Sequence, residues 1–329
     1  TMTVDLRTRR DGHEPAVDVT RLLDVELPAL LAERGGHVPP ADQLALRPFA
    51  LHVDDDVWVL RRDPVTDAVT VARADAATAA AVAAERSLVG RFTPAQIADL
   101  AADQITPIGM MTADTLRLER GRIGHLLDWW LVLRAVLDDR PVHRPGDIEL
   151  DVDLGRSFTL DDDPDEIRAF LETAGYLHLR GVFTAEEMAA ASDDMDAAAP
   201  SYRPDDGNSW WATLADGSEQ VVRMQRFDRH SATVAALLED PRFLRIAEIV
   251  GAGHTTDWAT DNRIEALFKP LGVVSGISDV PWHKDCSLGR HSYDCCRLTA
   301  GISVTGAGPT TGQLRVIAGS HRVLIWPAL

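Results

Sequence analysis

Apolar positions along the chain change period several times, and each change predicts an element. Between Val19 and Arg34 the leucines at 22, 23, 27, 30 and 31 recur at helical spacing. Phe49, Leu51 and Val53 then alternate, Val57 to Leu60 is nearly continuous, and Val69 and Val71 alternate again. These read as short strands, broken by Asp63-Pro64. The alanine-rich stretch Ala74 to Glu85 predicts a helix. Thr93-Pro94-Ala95-Gln96 combines a capping threonine, a proline at the first helical position and a glutamine at the third, which predicts a helix start. Ile123, Leu126, Leu127, Trp130, Leu131 and Leu133 mark a strongly apolar helix.

The stretch from Pro141 to Asp163 loses this periodicity and gathers seven acids, including Asp161, Asp162 and Asp163. It reads as a solvated acidic linker and not as a calcium loop, since the regular ligand spacing with its glycine and closing glutamate is missing. The chain thus divides into an α+β module over 1–140, the linker over 141–163 and a second domain over 164–329. In the second domain helices come first, and strand-like runs follow at Ile264–Phe268, Val280–Asp285, Leu298–Val304 and Leu314–Ile317. A double-stranded β-helix, or jelly roll, with helices packed on one sheet is the expected architecture.

Composition narrows the function. At 329 residues the chain suggests two domains, and 45% hydrophobic with 26% charged residues is ordinary for a globular protein. The formal net charge of −18 disfavours phosphate backbones and anionic lipid, so nucleic acid is not an expected partner. There is no apolar run near membrane-spanning length and no leader pattern. Three cysteines, Cys286, Cys295 and Cys296, are too few and too clustered for a disulfide framework; they read as small buried hydrophobes in a cytoplasmic protein.

The chemistry is concentrated in Pro281-Trp282-His283-Lys284-Asp285. On an extended strand an imidazole and a carboxylate two residues apart project to one face. Such a pair, with one distant histidine, makes the facial triad that holds Fe(II) and leaves positions open for oxygen and a co-substrate. Alone, His-x-Asp is a common coincidence, and its neighbours decide.

Those neighbours are four. Phe170-Leu171-Glu172-Thr173-Ala174-Gly175-Tyr176 closes a helix, Thr184-Ala185-Glu186-Glu187 opens the next, and Phe268-Lys269-Pro270 precedes the His-x-Asp. Gly312-Gln313-Leu314-Arg315-Val316-Ile317-Ala318-Gly319-Ser320-His321 follows it. Together and in this order they resemble the phytanoyl-CoA dioxygenase family of Fe(II)/2-oxoglutarate oxygenases over about residues 164–329, with Ala318 where that family usually has proline.

The resemblance implies that His283 and Asp285 are the metal ligands and catalytic pair. It also implies that Lys269 meets a carboxylate of 2-oxoglutarate and that Thr299 and Ser303 offer hydroxyls to the co-substrate, either one facing inward. The implied reaction is hydroxylation of a small organic or lipid-like substrate by O2, coupled to conversion of 2-oxoglutarate to succinate and CO2. Related halogenases replace the carboxylate ligand with a small residue, and Asp285 is intact, which favours oxygenation. No position up to Leu329 matches the family's third ligand, a later histidine, or its 2-oxoglutarate arginine. Both are expected from a continuation of the chain, Val323 to Trp326 being an apolar run in need of a partner strand. His321 reads as a polar residue of the barrel mouth, a ligand role being its alternative.

Residues 20–140 resemble a sterol-carrier-protein-2-like domain in element order alone, and a generic α+β module that packs on the oxygenase without a ligand is the preferred reading. Two non-enzymatic readings stand beside the oxygenase: a degenerate barrel that binds without turnover, and a lipid or acyl-chain binder acting through the N-terminal module.

Overall fold

A computed structural model describes residues 17–251, 263–276, 282–285 and 298–326. It shows an α+β protein whose contacts divide it into two compact units. Of the described residues, one unit comprises 17–149, 282–285, 298–299 and 319–326, and the other 150–251, 263–276 and 300–318. The chain therefore passes between units at Glu149–Leu150 and again in the C-terminal region, where His283 and Asp285 fall with the N-terminal residues.

The first unit begins with α1 (Val19–Arg21), a π-helical turn (Leu22–Glu26) and α2 (Leu27–Arg34), the predicted leucines turning into the core. Strands β1 (Phe49–Val53), β2 (Asp56–Arg62) and β3 (Val69–Ala74) form an antiparallel meander. Helix α3 (Ala76–Ala84), capped by Asp75, returns the chain so that β4 (Leu88–Phe92) lies parallel to β1. Next come α4 (Pro94–Ala101), with the predicted Thr93–Gln96 capping box, and α5 (Pro107–Thr112). Strand β5 (Arg117–Arg120) pairs with β4 and closes a sheet of order β3-β2-β1-β4-β5. Against it packs α6 (Ile123–Leu137), where Trp129, Val132 and Val136 are fully buried. Trp129 is core, and its indole N–H donates to the Arg47 carbonyl at 2.7 Å.

Two short strands, β6 (Val142–His143) and a late one at Leu324–Ile325, pair in parallel in the same unit. Leu324 is 2% exposed and packs with Leu131, Ala135, Val142 and Trp326. The apolar run expected to lack a partner strand therefore has one within this chain.

In the second unit α7 (Pro164–Ala174) starts at Asp163 and stops at Gly175, whose φ of 80° makes a left-handed helix cap. Phe158, inside the acidic stretch, is 1% exposed and meets the Phe170 ring at a centroid distance of 5.3 Å. The acids around it stay mostly exposed, but this part of the stretch is packed and not merely solvated. Helix α8 (Ala185–Ala198) starts where Thr184-Ala185-Glu186-Glu187 predicted, and the structure adds a Thr184–Glu187 capping box. Strands β7 (Ser209–Leu214) and β8 (Glu219–Met224), helices α9 (Ala232–Leu237) and α10 (Pro241–Val250), and strands β9 (Ala266–Leu267) and β10 (Val273–Gly276) follow. The antiparallel sheet has the order β10-β7-β8-β9, and the late strand of the first unit is β11.

Two of the expected strands beyond residue 297 are absent. Leu298–Val304 and Leu314–Ile317 form no strand, and Leu314 is 88% exposed. A strand needs a hydrogen-bonding neighbour as well as alternation, and among the described residues neither run is paired. No helix among the described residues is long and apolar enough to cross a membrane.

Candidate functional site

Trp282 to Asp285 lie in the first unit and form a bend, not a strand. The two-residue spacing nevertheless brings the two side chains together: His283 Nε2 stands 3.3 Å from Asp285 Oδ1. Thr299 Oγ1 donates to the other carboxylate oxygen, Asp285 Oδ2, at 2.7 Å. One oxygen of Asp285 thus faces the imidazole and the other is held by a hydroxyl.

Lys284, between the pair, is turned to a structural task. Its ammonium donates to the Val323 carbonyl at 2.6 Å. Val323 immediately precedes β11, which is fastened to β6 by its ladder and by Trp326 N–H donating to the His143 carbonyl at 2.8 Å. Arg140 adds a bond from its guanidinium to the Arg322 carbonyl at 2.9 Å. The segment carrying His283 and Asp285 is in this way tied to the β6–β11 strand pair. The imidazole is 31% and the carboxylate 53% exposed, so the pair is open to a ligand, and its Coulomb attraction alone adds little to stability.

Thr299 is therefore brought to Asp285, while Lys269 and Ser303 belong to the second unit. Lys269 is exposed and its stem lies against Gly312, the first glycine of the Gly-x-Leu motif. A Cβ at Gly312 would stand 3.2 Å from Lys269 Cβ and Cγ, and φ there is +79°, so both backbone and space call for glycine. Ser303 is exposed. His321 sits in the 3-10 turn Ser320–Arg322 directly before β11. Arg223 pairs with Glu265 and covers the Trp210 ring at 4.2 Å. Cys286, Cys295, Cys296 and His291 lie outside the described residues.

An imidazole nitrogen beside an anionic oxygen is the donor chemistry of a borderline divalent cation such as Fe(II). His283 and Asp285 fit two positions of such a site. Among the described residues no third His, Cys, Asp or Glu joins them. Sequence reasoning missed Lys284, whose fastening role depends on the β6–β11 pairing and leaves no local signal.

Residues 171–324 match the family described as phytanoyl-CoA dioxygenase, which bears out the resemblance over that segment. No curated protein and no solved structure matches the chain.

Proposed function

We propose, with the match of residues 171–324 to the phytanoyl-CoA dioxygenase family as the premise, that this protein is a non-haem Fe(II)/2-oxoglutarate-dependent dioxygenase. It hydroxylates a small organic or lipid-like substrate, using O2, in the cytoplasm. The observation that carries this reading is the contact of His283 Nε2 with Asp285 Oδ1 at 3.3 Å, in the motif order of that family.

His283 and Asp285 would hold the iron. When bound, the metal supplies O2 activation coupled to oxidative decarboxylation of 2-oxoglutarate. The chain's own part is to orient and to hold charge. Asp285 brings the anionic donor, and the Thr299 hydroxyl fixes which of its oxygens is turned to the imidazole. Lys269 offers a cation to a 2-oxoglutarate carboxylate, and Ser303 a second hydroxyl. A jelly roll around the pair is the architecture this chemistry uses to exclude water and leave one face open.

Metal binding tests the assignment without turnover. Under anaerobic equilibrium dialysis the protein should take up one equivalent of Fe(II), and Asp285→Ala should lose it. Stoichiometric uptake by folded Asp285→Ala would defeat the ligand assignment.

A further inference from the structure

A second set of side chains converges in the first unit, independently of the His-x-Asp pair. A recess of about 420 Å³ is lined by Arg47, Arg86, Gly121, Arg122 and His125. On a chain with a formal net charge of −18, a recess lined by three guanidinium groups and an imidazole, with no carboxylate, stands apart.

Strand register explains the convergence. Phe49 and Leu88 face each other across the parallel pair β1–β4. Arg47 and Arg86 each lie two residues upstream of them, so their backbones enter the sheet side by side. Neighbouring strands run about 4.7–4.9 Å apart. Val89 pairs with Arg120 at the end of β5, so the turn Gly121–Arg122 emerges at the same edge. The backbone there is fixed: Leu88 N–H donates to the Pro48 carbonyl at 2.8 Å, and Trp129 holds the Arg47 carbonyl. At Gly121, φ is +97° and a Cβ would stand 2.7 Å from Leu88 Cδ1, so that part of the wall carries no side chain.

The donors are also arranged. Helix α6, of 15 residues, begins at the recess, and its positive end adds to the cationic field. Arg122 N–H donates to His125 Nδ1 at 3.0 Å. A neutral His125 therefore carries its proton on Nε2, as a further donor. Burial, then Arg47, Arg122 and Arg86, lower the affinity of His125 for a second proton, as expected of a group amid uncompensated cations. No ion pair joins Arg47, Arg86 or Arg122 to a carboxylate among the described residues. Like charges lining one recess favour an anion between them.

We propose that this recess binds a phosphate-bearing small molecule, its phosphate held between Arg47, Arg86 and Arg122 with His125 as the fourth donor. Three planar donor forks match a dianion with several oxygens better than a single carboxylate. At about 420 Å³ the recess has room for more than a bare ion.

The test is calorimetric titration of the whole protein with glycerol 3-phosphate, inorganic phosphate and glycerol, with His125 ring resonances as a local reporter. Glycerol 3-phosphate should bind saturably at one site and shift the His125 signals, and glycerol should do neither. Arg86→Gln and Arg122→Gln, both of exposed residues, should each weaken binding by about tenfold or more. Arg117→Gln, at the far end of β5, should leave it unchanged. No saturation with either phosphate, or equal affinity in the two pocket variants with folding verified by circular dichroism, would overturn the site. Tighter binding of inorganic phosphate than of glycerol 3-phosphate would overturn the organic ligand.

Discussion

At the scale of single residues, Asp285 divides its two oxygens between an imidazole and a hydroxyl, and that division is open to test. Thr299→Val removes the hydroxyl at nearly constant volume and leaves both proposed ligands. Fe(II) affinity should fall by about tenfold, the lower end of what loss of a ligand's hydrogen-bonding partner costs, while thermal stability stays near that of the parent. An unchanged affinity would show that Thr299 does not position the carboxylate. Glu187 makes a separate prediction. Hydrogen bonds from Arg242, then from the Thr184 N–H, pull its carboxyl from an ordinary 4.5 to about 2. A depressed folded-state value means stability that is present above about 4.5 and is lost as the pH falls toward about 2. Melting temperature against pH should therefore drop less steeply across that window in Glu187→Gln than in the parent. An identical slope would remove Glu187 from the acid response. The nearness of His283 to Asp285 was legible in the two-residue spacing. Its cause was not, because the spacing presumed a strand and the chain makes a bend.

At the scale of elements, signals confined to a few neighbouring residues transferred well. Thr93–Gln96 and Thr184–Glu187 form the capping boxes their sequences describe, since a cap is satisfied within one turn. Thr184→Ala should cost about 1 kcal/mol in denaturant unfolding, and no loss would mean that the cap is replaced by water. Pairing over long separations did not transfer. Val323 to Trp326 looked unpartnered because Val142–His143, far upstream, has too little apolar character to announce a strand. Leu298–Val304 and Leu314–Ile317 have strand alternation without a strand, because alternation states which face can be buried and not what will cover it. The β6–β11 pairing is tested by Leu324→Ala. A leucine at 2% exposure should cost about 2–5 kcal/mol when truncated, and through Lys284–Val323 the change should also weaken Fe(II) binding. A cost below about 1 kcal/mol would place Leu324 outside any core.

At the scale of the whole molecule, the family match over 171–324 spans residues of both compact units. The passage at Glu149–Leu150 falls inside the acidic stretch 141–163, and the later passages carry no break in composition that a sequence would reveal. The proposed ligands sit among the residues of the N-terminal unit, whose sheet edge also carries the cationic recess. The net charge of −18 makes that recess exceptional on the chain, as the pair at His283 and Asp285 is exceptional in its motif setting. The central claim remains the oxygenase chemistry, and the most direct measurement is succinate formed from 2-oxoglutarate by the intact protein under air with Fe(II). Succinate should accumulate catalytically in the parent and fall to background in Asp285→Ala. Equal succinate from the parent and Asp285→Ala, or none from a parent that has bound stoichiometric Fe(II), would contradict the account.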